Sequence, residues 1–214
     1  MQNWSLEIKD ATLTIGGKQL FAGLSFYVDA GETLCITGVS GCGKTSLLRA
    51  LMGFVPLGSG FISMGGEALT PLTAELFRAH IAYVPQEVAL PYDEIADMVK
   101  APFLLKANAT IKFSKEALLA EFAKLGLAAE LYEKRVSEVS GGERQRIMLA
   151  VAGLLKKPFV LVDEPTSALD SNTSERVAAY FHELASQGAA VVAVSHDDTL
   201  AAHFSKQLQL SPLS

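Results

Sequence analysis

The chain has 214 residues, half of them hydrophobic and 19% charged, with a formal net charge of −5. That composition excludes wholesale disorder, and charges of both signs mixed along an acidic chain argue against a dedicated nucleic-acid binder. No apolar stretch approaches the ~20 residues needed to cross a bilayer, and Met1–Asp10 lacks the charged-then-apolar pattern of a secretory signal, so a single cytoplasmic globular unit is expected.

In chain order, Leu6–Ile8, Ala11–Ile15 and Leu24–Val28 are short, alternating and β-prone, separated by Gly16-Gly17 and by Asp29-Ala-Gly31. They predict an antiparallel sheet, to which Gly58–Ile62 returns. Thr33–Thr37 is a buried-type strand running into a glycine-rich loop, and Lys44–Leu51 is apolar at helical spacing. Ile81–Val84 predicts a second core strand ending at Pro85-Gln86. From about Asp93 to Val151 the pattern is helical, most clearly over Glu116–Leu125 and Glu143–Leu155. Strands resume at Phe159–Val162, Ala189–Val194 and Gln207–Leu210, with a helix near Asn172–Ser186. Strand–loop–helix, a helical insertion, then strand–helix–strand describes a parallel α/β core.

Gly38-Val39-Ser40-Gly41-Cys42-Gly43-Lys44-Thr45 fits G-x-x-x-x-G-K-[ST], followed by Ser46. The glycines let backbone N–H groups wrap phosphates, Lys44 brings a mobile positive charge, and Thr45 offers a hydroxyl to Mg²⁺. Phe159-Val-Leu-Val-Asp163-Glu164 reads as a buried strand delivering two carboxylates at its C-terminal end. There Asp163 would hold Mg²⁺ and Glu164 would deprotonate a water; a solvated acidic turn is the other reading. Ser140-Gly141-Gly142-Glu143 is a capping box opening an amphipathic helix, and its exposed N–H groups are also able to meet a phosphate. Cys35 and Cys42, the only cysteines, form no metal-ligand set. Cys42 sits either as a reactive thiol near a helix N-terminus or as a small residue that fits the loop.

In these motifs the chain resembles, over essentially its full length, the ATP-binding subunits of ABC transporters. Gly38–Thr45 looks like Walker A, Phe159–Glu164 like Walker B with its catalytic glutamate, and Val139–Glu143 like the signature motif. Val139 replaces the usual Leu there, and Glu143 the frequent Gln. Gln86 falls at the Q-loop, Ser167-Ala-Leu-Asp170 at the D-loop and His196 at the switch histidine. The resemblance implies a P-loop NTPase core, a parallel sheet flanked by helices, with an N-terminal antiparallel β subdomain and an inserted helical subdomain. Within one 1–214 unit, 1–32 and 58–70 would form the β subdomain, 33–57, 71–90 and 156–214 the core, and 91–155 the helical subdomain. It also implies ATP and Mg²⁺ as ligands, with Gln86 touching the metal and lytic water and His196 bonding the γ-phosphate. Without the family, His196 reads as a surface or capping residue and Asp170 as an N-cap.

Further implied are an ATP-dependent head-to-tail dimer, with Ser140, Gly141, Gly142 and Asp170 reaching the second copy's site, and an integral membrane subunit as partner. The protein would then lie peripherally on the inner face of the membrane, with no nucleic-acid partner. One departure concerns the aromatic residue that often stacks on adenine. The aligned position holds Ile15, which offers no π face, so loose selectivity between ATP and GTP is expected. A soluble ATPase serving a protein assembly, such as an iron–sulfur scaffold complex, is the alternative. A binding-only subunit fits poorly with intact Lys44, Glu164 and His196.

Overall fold

Two adjacent glycines set the first hairpin. The structure, a computed structural model, describes residues 4–88, 91–166 and 169–211. Strand β1 (Ser5–Ile15) turns through Gly16-Gly17 into β2 (Lys18–Asp29), with Ile15 opposite Lys18. The two glycines have φ of 59° and 80°, the left-handed pair that a two-residue turn matched to strand twist requires. The alternation predicts a break between Ile8 and Ala11, yet one strand runs through. Leu6 and Ile8 are buried and so are Ala11 and Leu13, a parity change that a regular period of two forbids. A bulge supplies the extra residue: the register slips between Ile8 and Ala11, Asp10 takes φ 50°, and its N–H donates to Ser25 Oγ at 2.8 Å.

There follow β3 (Thr33–Thr37), α1 (Lys44–Leu51), β4 (Ser59–Met64), β5 (Glu67–Ala68), α2 (Ala74–Ala79) and β6 (Ile81–Val84). Next come α3 (Ile95–Lys100), α4 (Lys115–Lys124) and α5 (Gly141–Leu155). Then β7 (Phe159–Asp163), α6 (Ser171–Ser186), β8 (Ala190–Ser195), α7 (Asp198–Ala201) and β9 (Lys206–Gln209). The expected helical region is thus three α-helices joined by short 3-10 turns, including Ala101–Leu104 and Ala129–Glu133. Pro102 has no N–H to continue α3, and Gly126 at φ 66° ends α4.

The antiparallel sheet has the order β2-β1-β4-β5 and the other sheet β6-β7-β8-β3-β9, with all pairings in the second parallel. Every residue of β7 and β8 is buried, as expected of a parallel sheet covered on both faces. Its two faces feed two cores. Val160, Val162, Val191 and Ala193 join the core that contains Phe122, Ile147 and Phe181 from α4, α5 and α6. Phe159, Leu161, Val192 and Val194 join the core shared with Leu47 and Leu51 of α1 and the inward residues of β1. The sheet is therefore clamped from both sides, and its C-terminal edge is held in a fixed place.

Candidate functional site

That edge is where α/β sheets bind ligands. Here it carries the loop 38–43 after β3, Pro85-Gln86 after β6, Glu164 after β7 and His196 after β8. An open cleft of about 510 Å³ lies among them. Ser40, Gly41, Gly43, Lys44, Thr45 and Ser46 form one wall, and Gln86, Glu164, His196 and Leu20 the rest.

A β-carbon at Gly38 would stand 2.5 Å from Leu210 O and 2.7 Å from Cys42 Sγ, so the strand exit admits only glycine. Gly41 and Gly43 take φ of 77° and 107°, and a Cβ at Gly41 would meet nothing within 4 Å. The loop is thus open toward the cleft. Lys44 is folded back onto it, Nζ donating to Gly38 O at 2.7 Å and lying 3.4 Å from Glu164 Oε1. Val39 is exposed and is not among the residues lining the cleft. Cys42 is buried under the loop, its N–H donating to Val39 O at 3.3 Å, which fits the small-residue reading of that position.

Asp163 is buried behind Thr45. Thr45 Oγ1 donates to Oδ1 at 3.2 Å and Tyr83 Oη to Oδ2 at 3.4 Å. Burial holds the Asp163 carboxyl above the ordinary range, helped by the Glu164 charge and opposed by the Thr45 and Tyr83 hydrogen bonds. The same burial, with the Asp163 charge, pushes the Tyr83 hydroxyl up to about 12. A hydroxyl and a carboxylate in contact, with the Gln86 carboxamide on the same cleft, form a hard-oxygen set that suits Mg²⁺.

Glu164 is one of three non-glycine residues at positive φ among the described residues, here 49°, a conformation that costs on the order of 1 kcal/mol or more. Its N–H donates to Val194 O at 2.9 Å. Oε2 accepts from His196 N–H at 3.2 Å and pairs with His196 Nδ1 at 2.7 Å. With the carboxylate accepting there, the ring proton sits on Nδ1. Lys44, Glu164 and His196 thus form a chain of contacts across the cleft.

Some expected residues lie elsewhere. Ile15 sits at the tip of the first hairpin, 43% exposed, and is not among the residues lining the cleft. Leu20 takes that place, close enough to Gly43 that a Cβ there would be 3.0 Å from Leu20 Cβ. The short pattern Lys18–Gly23 hid it, because only the second half of β2 alternates clearly. Ser140, Gly141, Gly142 and Asp170 do not line the cleft. Ser140 caps α5, accepting from Glu143 N–H at 3.2 Å while Glu143 Oε2 accepts from Ser140 N–H at 2.9 Å and from its hydroxyl at 2.7 Å. Those bonds hold the Glu143 carboxyl below its usual range. Asp170 caps α6 through Thr173 N–H at 3.0 Å; Ser167 and Ala168 of the expected D-loop lie outside the described residues. Tyr83 and Gln145 were not legible as site residues. Gln145, on α5, donates to the carbonyls of Asp163 and Glu164.

A family profile described as ABC transporter matches residues 21–167. The chain is 34% identical over 200 residues to the hemin import ATP-binding protein HmuV of Streptomyces coelicolor, covering 92% of this chain and 70% of that protein. It is 30% identical over 209 residues to the probable iron export ATP-binding protein FetA of Escherichia coli K12, covering 97% and 91%. Among solved structures, one described as the ATP binding subunit of an ABC transporter matches the fold with a TM-score of 0.83. That match is 22% identical and covers 98% of this chain and 88% of the other.

Proposed function

Because the chain belongs to the ABC transporter family of ATP-binding proteins and is an ATPase of that family, we propose that it powers a membrane transporter through ATP-driven pairing with a second copy. The observation that carries this reading is the convergence of Lys44, Thr45, Gln86, Glu164 and His196 from four strand ends onto one cleft. Those are the charges, hydroxyl, amide and base that phosphoryl transfer to water requires.

The N–H groups of Ser40, Gly41 and Gly43 receive the phosphates, and Lys44 leaves the Gly38 and Val39 carbonyls to reach them. Thr45, Asp163 and Gln86 would hold Mg²⁺, which when bound neutralises phosphate charge. As Lys44 departs, Glu164 loses its ion-pair partner and keeps His196, so its carboxylate is free to accept a proton from water. Leu20, rather than Ile15, packs against the base. An apolar side chain distinguishes adenine from guanine poorly, so GTP competes.

The N–H groups of Gly141 and Gly142 open α5, outside the Ser140–Glu143 capping bonds and away from the chain's own cleft. In a head-to-tail pair they meet the partner's nucleotide, with Asp170 at the same interface. The pair is isologous, with two equivalent sites. Residues 33–57, 71–90 and 156–214 serve as the nucleotide core, 91–155 as the helical subdomain and the antiparallel strands as the β subdomain. Among the described residues no helix is long and apolar enough to cross a membrane. The likeness to ATP-binding proteins of transporters supports an integral membrane subunit that supplies the pathway, with this chain at its cytoplasmic face. Similar proteins are named for import and for export, which favours transport over service to a soluble scaffold.

The test is light scattering of Glu164→Gln with ATP and Mg²⁺, followed by affinity capture from detergent-solubilised cells. A nucleotide-dependent dimer that brings down a polytopic membrane protein supports the reading. A variant that stays monomeric, or that captures only soluble scaffold proteins, overturns it.

A further inference from the structure

Gln145 is a carboxamide in the second turn of α5, 4% exposed, on a helix whose neighbouring buried positions are apolar. Burying an amide costs free energy unless it is bonded, and a leucine there would pack without that cost. Its Nε2 lies 2.9 Å from Asp163 O, 3.3 Å from Glu164 O and 3.3 Å from Pro85 O. Two N–H bonds are therefore shared among three carbonyls, all at the ends of β6 and β7 and none within its own helix.

We propose that Gln145 is a positioning residue for hydrolysis, fixing the left-handed turn of Glu164 and its relation to Gln86. The inference rests on the assignment of Glu164 as the base. The peptide groups after Asp163 and after Glu164 bracket the Glu164 φ and ψ, so anchoring both carbonyls sets the direction of its carboxylate. The Val194 carbonyl anchors the same residue from the other side. Pro85 O belongs to the peptide joining Pro85 to Gln86, so one side chain holds both residues that face the attacking water. Gln145 also rides on the helix capped by Ser140, so any displacement of that helix reaches Glu164 directly.

The test compares the full-length wild type with Gln145→Met, Gln145→Glu and Glu164→Gln in steady-state ATP hydrolysis, ADP affinity and thermal melting. Methionine keeps length and removes the donors; glutamate keeps shape and turns acceptors toward three carbonyls. The expected result is a kcat lower by about 10- to 100-fold for Gln145→Met, since misplacement of about 1 Å costs that order. KM and ADP affinity should stay within about twofold, the pattern of an interaction needed only in the transition state. Gln145→Glu should be slower than Gln145→Met, and it supplies the same reading if Gln145→Met does not fold. A Gln145→Met kcat above half of wild type, or loss of kcat and ADP affinity together, overturns the proposal. If Glu164→Gln also turns over at the wild-type rate, the base assignment falls and this inference with it. An inactive Glu164→Gln beside an active Gln145→Met refutes Gln145 alone.

Discussion

Glu164→Gln should stop hydrolysis and, at the same time, tighten nucleotide binding. The substitution keeps the side-chain shape but removes a negative charge 3.4 Å from Lys44 Nζ. Two unit charges at that distance attract by about 5 kcal/mol at an effective dielectric of 20. Only 7% and 10% of the two side chains is exposed, so solvent screens the pair weakly. A phosphate that takes Lys44 must first overcome this attraction, and it also meets the repulsion of the carboxylate. Recovering a quarter of the pair's attraction would amount to roughly tenfold in affinity. The assay is titration calorimetry with a non-hydrolysable ATP analogue, alongside phosphate release with ATP. The expectation is roughly tenfold tighter analogue binding with kcat reduced by about 10²-fold or more. An affinity that stays the same or weakens would show that the ion pair is not what the nucleotide displaces.

Three further outcomes follow from packing and charge. Gly153→Ala would gain about 1 kcal/mol of helix propensity in an open helix, but here the β-carbon would overlap the Tyr180 hydroxyl, which donates to Glu121 at 2.6 Å. Urea denaturation should therefore show a loss of about 2–3 kcal/mol, largely relieved in a Tyr180→Phe background; a stabilised Gly153→Ala protein would refute the clash. Asp163 has a carboxyl group raised by burial, so its ionised form opposes folding at neutral pH and that opposition fades as pH falls through the raised value. Asp163→Asn should melt higher than wild type at pH 7 without nucleotide, with the gap closing on acidification; a gap that widens in acid contradicts the sign. Leu20→Ala should weaken ATP-analogue binding by about fivefold, from lost apolar contact. Ile15→Ala, at the hairpin tip, should leave that affinity unchanged.

The succession of strands and helices along the chain and the phosphate loop were legible because each is encoded locally. Glycine at the strand exit, lysine and threonine opening a helix, and apolar runs ending in carboxylates carry their own geometry. What stayed hidden depended on partners far along the chain. The bulge at Asp10 shows in the sequence only as a change of alternation parity, which two short strands explain equally well. Leu20 reaches the cleft because β2 begins at Lys18, before its alternation becomes clear. Gln145 is one polar residue on a helix, and its partners are backbone carbonyls 18, 19 and 60 residues away. Helix α2 is six residues long, too short to show a period.

The place of β3 in the parallel sheet has a consequence for how the chain is made. Its two neighbours are β8 and β9, and the Thr33 N–H donates to Ser205 Oγ at 3.0 Å, 172 residues along the sequence. Synthesis proceeds from the N-terminus, so the strand that presents the phosphate loop emerges long before either partner exists. Pairing over such separations is slow and leaves strand edges open meanwhile. A ribosome-bound chain therefore carries β3 without either of its sheet neighbours until residues beyond 190 have been made.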